Sequence, residues 1–313
     1  MSRAFVFPGQ GSQEVGMGRE LSEAFTAARL VFEEIDDALQ QKLSSIIFNG
    51  PGEKLILTEN AQPALMAVSI AVIKVLEEQG NFRIAQKANY VAGHSLGEYS
   101  ALTSVKSLEL ADCARLLKTR GKAMQAAVPL GKGAMAAILG LPLKDVEEVV
   151  LEASQNEICE VANDNSDGQV VVSGNVSAVE RSIEIAKKKG AKRGILLPVS
   201  APFHCQLMQS AADVMKDALE SSSLSIPELP VITNVNAQPV RDPDEIRDLL
   251  IEQITKKVRW RESIIALSDL GVEHIFEIGS GKVLCGLTRR INSDLKAQTI
   301  TTPAEVDSFL LSL

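Results

Sequence analysis

The segment Tyr90-Val91-Ala92-Gly93-His94-Ser95-Leu96-Gly97-Glu98-Tyr99-Ser100 constrains this chain most strongly. A short apolar run meets a Gly-x-Ser-x-Gly turn and then a helix-forming stretch, the strand–elbow–helix arrangement that presents a serine hydroxyl above a helix N-terminus. Glycine flanks Ser95 on both sides because so tight a turn brings backbone segments too close for a side chain. A strand-to-helix turn in which Ser95 only caps the helix is the simpler alternative.

The bulk properties limit what such a serine serves. The chain has 313 residues, 45% hydrophobic and 23% charged, enough for one large domain or two unequal ones. A formal charge of -8 lacks the positive footprint a general nucleic-acid binder needs. The apolar runs 65–73 and 134–143 fall short of the roughly 18 residues of a membrane span, so no membrane association is expected. The N-terminus reaches Pro8 and Gly9 too soon for a signal peptide. Cys113, Cys159, Cys205 and Cys285 are widely separated, which suits reduced thiols in a cytoplasmic protein better than disulfides or a metal site.

Arg3–Phe7 reads as a strand that runs into the glycine-rich loop Pro8-Gly9-Gln10-Gly11-Ser12-Gln13. Residues 62–79 and 109–127 have helical periodicity, the first stopping at Gly80 and the second before Pro129. The texture then changes. Strand 133–139, helix 142–154, strands 158–162 and 169–173, helix 176–189 and strand 192–199 follow in the order β-α-β-β-α-β, the ferredoxin-like arrangement. Longer helices (205–221, 243–255, 260–270) and short strands (231–233, 273–278) come after it. The expected architecture is α/β: a large α/β-hydrolase-like domain, residues 1–128 and 200–313, carrying an inserted small ferredoxin-like domain, residues 129–199. A cleft between two such domains is a favoured ligand site.

A serine hydroxyl needs a base to take its proton. Of three histidines, His94 adjoins Ser95 but its side chain diverges at such a turn, and His274 opens an apolar strand. His204, in the loop Pro198-Val199-Ser200-Ala201-Pro202-Phe203-His204, lies where the chain re-enters the large domain and is the candidate base. Asp145, Asp164 and Asp167 lie between Ser95 and His204 in the chain, yet all fall in the inserted domain. A backbone carbonyl is the alternative orienting group. The amide of Leu96 follows the nucleophile and is one oxyanion donor. The loop 8–13 is the obvious source of a second, with a tight surface loop as the simpler alternative and a phosphate-binding loop as a further one. Its glycines do not fit G-x-G-x-x-G. Arg115 and Arg120 both stand ready to pair with an anionic substrate, and helix phase does not choose between them.

Taken in order, the motifs resemble one family over almost the whole chain, the malonyl-CoA:acyl carrier protein transacylases. They are Phe5–Gln13, Gly93–Tyr99, Arg120-Gly121-Lys122-Ala123-Met124-Gln125, Asn163–Gly174, Phe203-His204 and Glu277-Ile278-Gly279-Ser280-Gly281-Lys282-Val283-Leu284. The resemblance implies Ser95 as nucleophile and His204 as base, with the backbone amides of Gln10 and Leu96 as the oxyanion hole. It selects Arg120 for the malonyl carboxylate and the main-chain carbonyl of Gln253 to orient His204. It places Met124 and Phe203 in the substrate pocket, Phe203 at a position that accompanies malonyl rather than methylmalonyl use. Ser280 and Cys205 depart from the residues common at their positions, proline and serine, without removing a group the chemistry needs.

The implied reaction is ping-pong transfer of malonyl from malonyl-CoA to the phosphopantetheine thiol of acyl carrier protein, for fatty-acid synthesis. It requires no cofactor, since the coenzyme A thioester is itself a substrate. The carrier protein is acidic, so a net-negative enzyme needs a local basic patch, for which Lys187–Lys189 with Lys192 and Arg193, or Lys256, Lys257, Arg259 and Arg261, are candidates. An esterase-type hydrolase and a non-catalytic scaffold are the competing readings. The first gives no reason for Arg120, and the second would form no acyl-enzyme.

Overall fold

A computed structural model describes residues 2–80, 82–199 and 201–313. Among the described residues ten strands fall in two sheets: β1 (Arg3–Phe7), β2 (Tyr90–Gly93), β3 (Gly133–Leu139), β4 (Cys159–Ser166), β5 (Gln169–Asn175), β6 (Arg193–Leu196), β7 (Val231–Ile232), β8 (Pro239–Val240), β9 (His274–Ile278) and β10 (Lys296–Ile300). The larger sheet runs β10-β9-β1-β2-β7-β8 and is parallel except for the β7–β8 pair. The fold is mixed α/β. Among the described residues no helix is long and apolar enough to cross a membrane.

Side-chain alternation along β1 explains why the larger sheet is covered on both faces. Phe5 and Phe7 pack into the main core, while Ala4 and Val6 pack on the other side with Trp260, Ile264 and Leu267. The main core is centred on the helix Thr58–Gly80, which is buried almost all round from Thr58 to Ile73. This helix begins earlier than its periodicity suggests and accommodates Pro63.

The smaller sheet is antiparallel, in the order β4-β5-β3-β6. Ala136, Ile138, Val170 and Val172 point toward the helices Leu143–Ser154 and Val176–Lys188 and form a separate core with Val146, Val149, Ala178 and Val179. The alternate residues Met135, Ala162 and Val171 join the main core. One face of the smaller sheet therefore binds its own helices and the other seals against the larger body.

β4 is longer than its apolar residues suggest. It continues through Asn163-Asp164-Asn165 to Ser166, a stretch of poor strand formers. Tertiary pairing overrides that preference. Val258 donates its N–H to the Ala162 carbonyl at 2.8 Å, and Asp164 donates to the Val258 carbonyl at 2.9 Å. Buried Asp164 also accepts from Arg261, at 2.8 Å to Nη2. These contacts fasten β4 to the segment 258–261, and Asn165 on β4 reaches His94, directly after β2. β6 is shorter than expected and is an edge strand with exposed Ile195 and Leu196. The 205–221 segment divides into a 3-10 turn, Gln206–Met208, and the helix Gln209–Glu220.

Candidate active site

β2 ends at Gly93, and the helix Gly97–Ser104 starts four residues later. The chain turns so sharply that a Cβ on Gly93 would lie 1.9 Å from the Gly97 carbonyl carbon, and one on Gly97 would lie 2.2 Å from the Phe7 oxygen. Ser95, between them, has φ 53°, a left-handed conformation that is costly for serine. Asn234, just beyond β7, holds the turn in place. Its Oδ1 accepts from the Ser95 N–H at 2.7 Å, and its Nδ2 donates to the Gly93 carbonyl at 2.6 Å.

His204 also has a positive φ, 58°, and is buried. Its Nε2 lies 2.8 Å from Ser95 Oγ, and its Nδ1 lies 2.8 Å from the main-chain oxygen of Gln253. A carbonyl only accepts, so Nδ1 carries the hydrogen and Nε2 presents its lone pair to the serine. Burial, reinforced by the nearby Arg120 charge, pushes the His204 pKa down to about 3. The imidazole is therefore neutral and free to receive a proton at neutral pH. Of the candidate acids, Asp164 is engaged by Arg261, and Gln253 occupies the orienting position. Ser200, in the loop that leads to His204, lies outside the described residues.

The structure separates the two arginines. Arg115 is exposed and pairs with Asp112 at 2.5 Å, whereas Arg120 is 1% exposed. The next residue, Gly121, lets the helix Leu110–Ala126 press against the start of Thr58–Gly80: a Cβ there would lie 2.5 Å from Glu59 Cα. Arg120 donates to Gln62 Oε1 (2.8 Å), Gln253 Oε1 (2.8 Å) and Ser95 Oγ (3.1 Å). Its Nε finds no acceptor among the described residues. The guanidinium also lies 5.7 Å from the centre of the Tyr99 ring.

These groups open onto a cavity of about 740 Å³. Gln10, Ser95, Leu96, Arg120, His204, Met124 and Phe203 all line it, so every residue to which the resemblance gave a role, except Gln253, faces one space. Gln253 is fully buried behind His204. The Leu96 amide opens the helix Gly97–Ser104, where the helix dipole favours negative charge. Gln10 follows the end of β1, and its side chain donates to Thr58 Oγ1 at 3.4 Å. A serine with an oriented neutral base and a buried cation suits acyl transfer involving an anionic acyl group.

Gln62 lines the cavity, Asn234 holds the Ser95 turn and Glu98 stands behind them, and sequence reasoning gave a role to none of the three. Asn234 left a faint signal as a polar residue directly after the short apolar strand 231–233, and Gln62 as an amide entering a long apolar helix. His94 is held aside, with Nε2 2.8 Å from Asn165 Oδ1 and its ring against Trp260. His274 stacks on Phe276. All four cysteines are free and buried. Among the basic-patch candidates, Lys187, Lys189, Lys257, Arg259 and Arg261 pair with Glu184, Glu148, Glu147, Glu262 and Asp164, respectively.

Comparison with known proteins agrees with this chemistry. The family described as acyl transferase domain matches residues 4–290, and the chain belongs to it. Within that class, the chain is 45% identical to the malonyl CoA-acyl carrier protein transacylase of Bacillus subtilis (strain 168), covering 99% of this chain and 96% of the relative. It is 42% identical to the protein of the same name from Escherichia coli (strain K12), covering 98% of each. The acyl-carrier-protein-S-malonyltransferase of Bartonella henselae is 56% identical, with TM-score 0.98 over 100% of this chain and 99% of that one. A malonyl-transacylase solved in complex with a type II PKS acyl-carrier protein is 40% identical, with TM-score 0.97 and full coverage of both chains.

Proposed function

We propose that this protein is a malonyl-CoA:acyl carrier protein transacylase of fatty-acid synthesis, working through a malonyl-Ser95 intermediate. The observation that carries the reading is the convergence on Ser95 Oγ of His204 Nε2 at 2.8 Å and Arg120 Nη2 at 3.1 Å.

The malonyl carboxylate enters the cavity and pairs with Arg120, drawing the guanidinium away from Ser95 Oγ. Pairing also offsets the positive charge that helps to depress His204, so substrate binding strengthens the base. His204 Nε2 takes the Ser95 proton as Oγ attacks the thioester carbonyl. The backbone amides of Gln10 and Leu96 hold the oxyanion, each worth roughly 3–4 kcal/mol. The carbon–sulfur bond breaks, and coenzyme A leaves with the proton from His204. The phosphopantetheine thiol of the carrier protein then gives its proton to His204 and attacks the ester. When that second tetrahedral intermediate collapses, the proton returns to Ser95. The Gln253 carbonyl keeps the imidazole in one tautomer throughout and stands in for a triad acid. Every step is an acyl or proton transfer, so the mechanism calls on no metal or redox cofactor.

We also read residues 129–199 as a small ferredoxin-like domain inserted into an α/β-hydrolase-like body, residues 1–128 and 200–313. The strand order and the separate core between the smaller sheet and its helices support this division. The free cysteines favour the cytoplasm.

Incubation with labelled malonyl-CoA and holo acyl carrier protein tests the function. Label should move to the carrier thiol, and little free malonate should form. Rapid malonate release without carrier labelling would instead make the protein a hydrolase.

A further inference from the structure

Glu98 lies behind the site and takes no direct part in the acyl transfer described above. It is 1% exposed, in the first turn of the helix Gly97–Ser104. Oε2 accepts from the Asn234 N–H at 3.0 Å and from Gln253 Nε2 at 2.8 Å. Oε1 has no hydrogen-bond partner among the described residues. The same Gln253 side chain accepts from Arg120 at 2.8 Å through its own Oε1. One amide therefore bridges a buried carboxylate and a buried guanidinium, and its main chain holds His204.

We propose that Glu98 is a positioning residue that tunes the grip of Arg120 on the acyl carboxylate: it is the ionised counter-charge of Arg120 before substrate binds, and it takes up a proton on Oε1 when the malonyl carboxylate becomes the partner of Arg120. This inference rests on the malonyl reading given above. Two carboxylates around a single guanidinium leave a net negative charge in a buried space, which is costly. A proton from solvent, forming an O–H bond at Oε1, restores neutrality without disturbing the two bonds at Oε2.

The other titratable groups around Glu98 do not mask this change. Burial holds Tyr99 and Cys113 in their protonated, neutral forms and His204 in its unprotonated form, leaving Arg120 as the facing charge. Gln253 and Asn234, from the other packed elements, do not titrate. Burial also raises the Glu98 pKa to about 7, so proton uptake lies within the working range of pH.

The sign follows from linkage. Below about pH 7 Glu98 is increasingly neutral, and its contribution to malonyl-CoA binding does not change with pH. Above it, binding must draw in a proton, so affinity falls as pH rises. Kinetics with malonyl-CoA and acetyl-CoA should be measured from about pH 6 to about pH 9 for the protein and for Glu98→Gln. In the unmodified protein, KM for malonyl-CoA should climb on the order of tenfold above neutrality. KM for acetyl-CoA, which shares the titrating phosphates but lacks the carboxylate, should not climb in this way. Glu98→Gln retains an oxygen able to accept both bonds but has no ionisable group. Its KM for malonyl-CoA should stay low with no such climb.

A second measurement does not depend on that variant folding. Titration calorimetry of Ser95→Ala with malonyl-CoA, in two buffers of different ionisation enthalpy, should show uptake approaching about one proton above neutrality. Acetyl-CoA should show none. Parallel pH profiles for the two substrates together with no differential proton uptake, or a malonyl-specific climb that persists in a folded Glu98→Gln, would overturn the role of Glu98. Absence of any malonyl preference in the unmodified protein would instead remove the substrate reading, and this inference with it.

Discussion

Replacing Ser95 or His204 with alanine is expected to lower the rate of malonyl transfer by about 10⁴-fold or more in each case, and the double variant should be no slower than the worse single one. The geometry dictates this non-additivity. Ser95 Oγ and His204 Nε2 share one hydrogen bond of 2.8 Å, so each is useless to the covalent route without the other. Ser95→Ala removes the atom that carries the acyl group. His204→Ala leaves the hydroxyl with Arg120 as its remaining neighbour, a donor at 3.1 Å that cannot take a proton. Steady-state transfer rates for the three variants, with melting temperatures as a folding control, check this. Independent, multiplicative losses would mean that the two residues do not act as a unit.

Arg120→Ala is expected to lower kcat/KM for malonyl-CoA by roughly 10²–10³-fold, the scale of losing a bidentate charge-assisted pair. Acetyl-CoA should lose far less, because it offers no carboxylate to the guanidinium. The ratio between the two substrates is the informative number. Truncation also strips partners from Gln62 and Gln253 and leaves Glu98 without its counter-charge, so a general loss of activity is superimposed. Arg120→Lys separates the effects. It keeps the charge but loses the planar fork, so malonyl preference should be only partly retained. Unchanged selectivity in a folded Arg120→Ala protein would remove Arg120 from substrate recognition.

The site was unevenly legible in the sequence, for physical reasons. Ser95 could be read because its turn imposes a local requirement, glycine on both sides, that leaves a mark within five residues. His204 emerged by elimination from three histidines. Arg120 could not be separated from Arg115 by helix phase alone. The usable clue was Gly121, an unfavourable residue inside a helix, whose missing side chain lets a second helix approach Arg120. Glu98, Asn234 and Gln62 act through partners remote in the chain and left little local trace. In the fold, the β-α-β-β-α-β order was legible because the short apolar runs 133–139, 158–162 and 169–173 are set off from one another by turn residues and by the helical stretches 142–154 and 176–189. The extension of β4 through Asn163–Ser166 was hidden because pairing with Val258 creates it against the local preference. β10, Lys296–Ile300, alternates too weakly to stand out and forms as an edge strand beside β9.

The central claim is that Ser95 carries the acyl group, and intact-protein mass spectrometry after brief exposure to malonyl-CoA tests it most directly. The account predicts a mass increase of a single malonyl group, localised to the peptide that contains Ser95. The adduct should be absent from Ser95→Ala and discharged when holo acyl carrier protein is added. An adduct that survives in Ser95→Ala, or transfer to the carrier with no acyl-enzyme formed at any time, would contradict it.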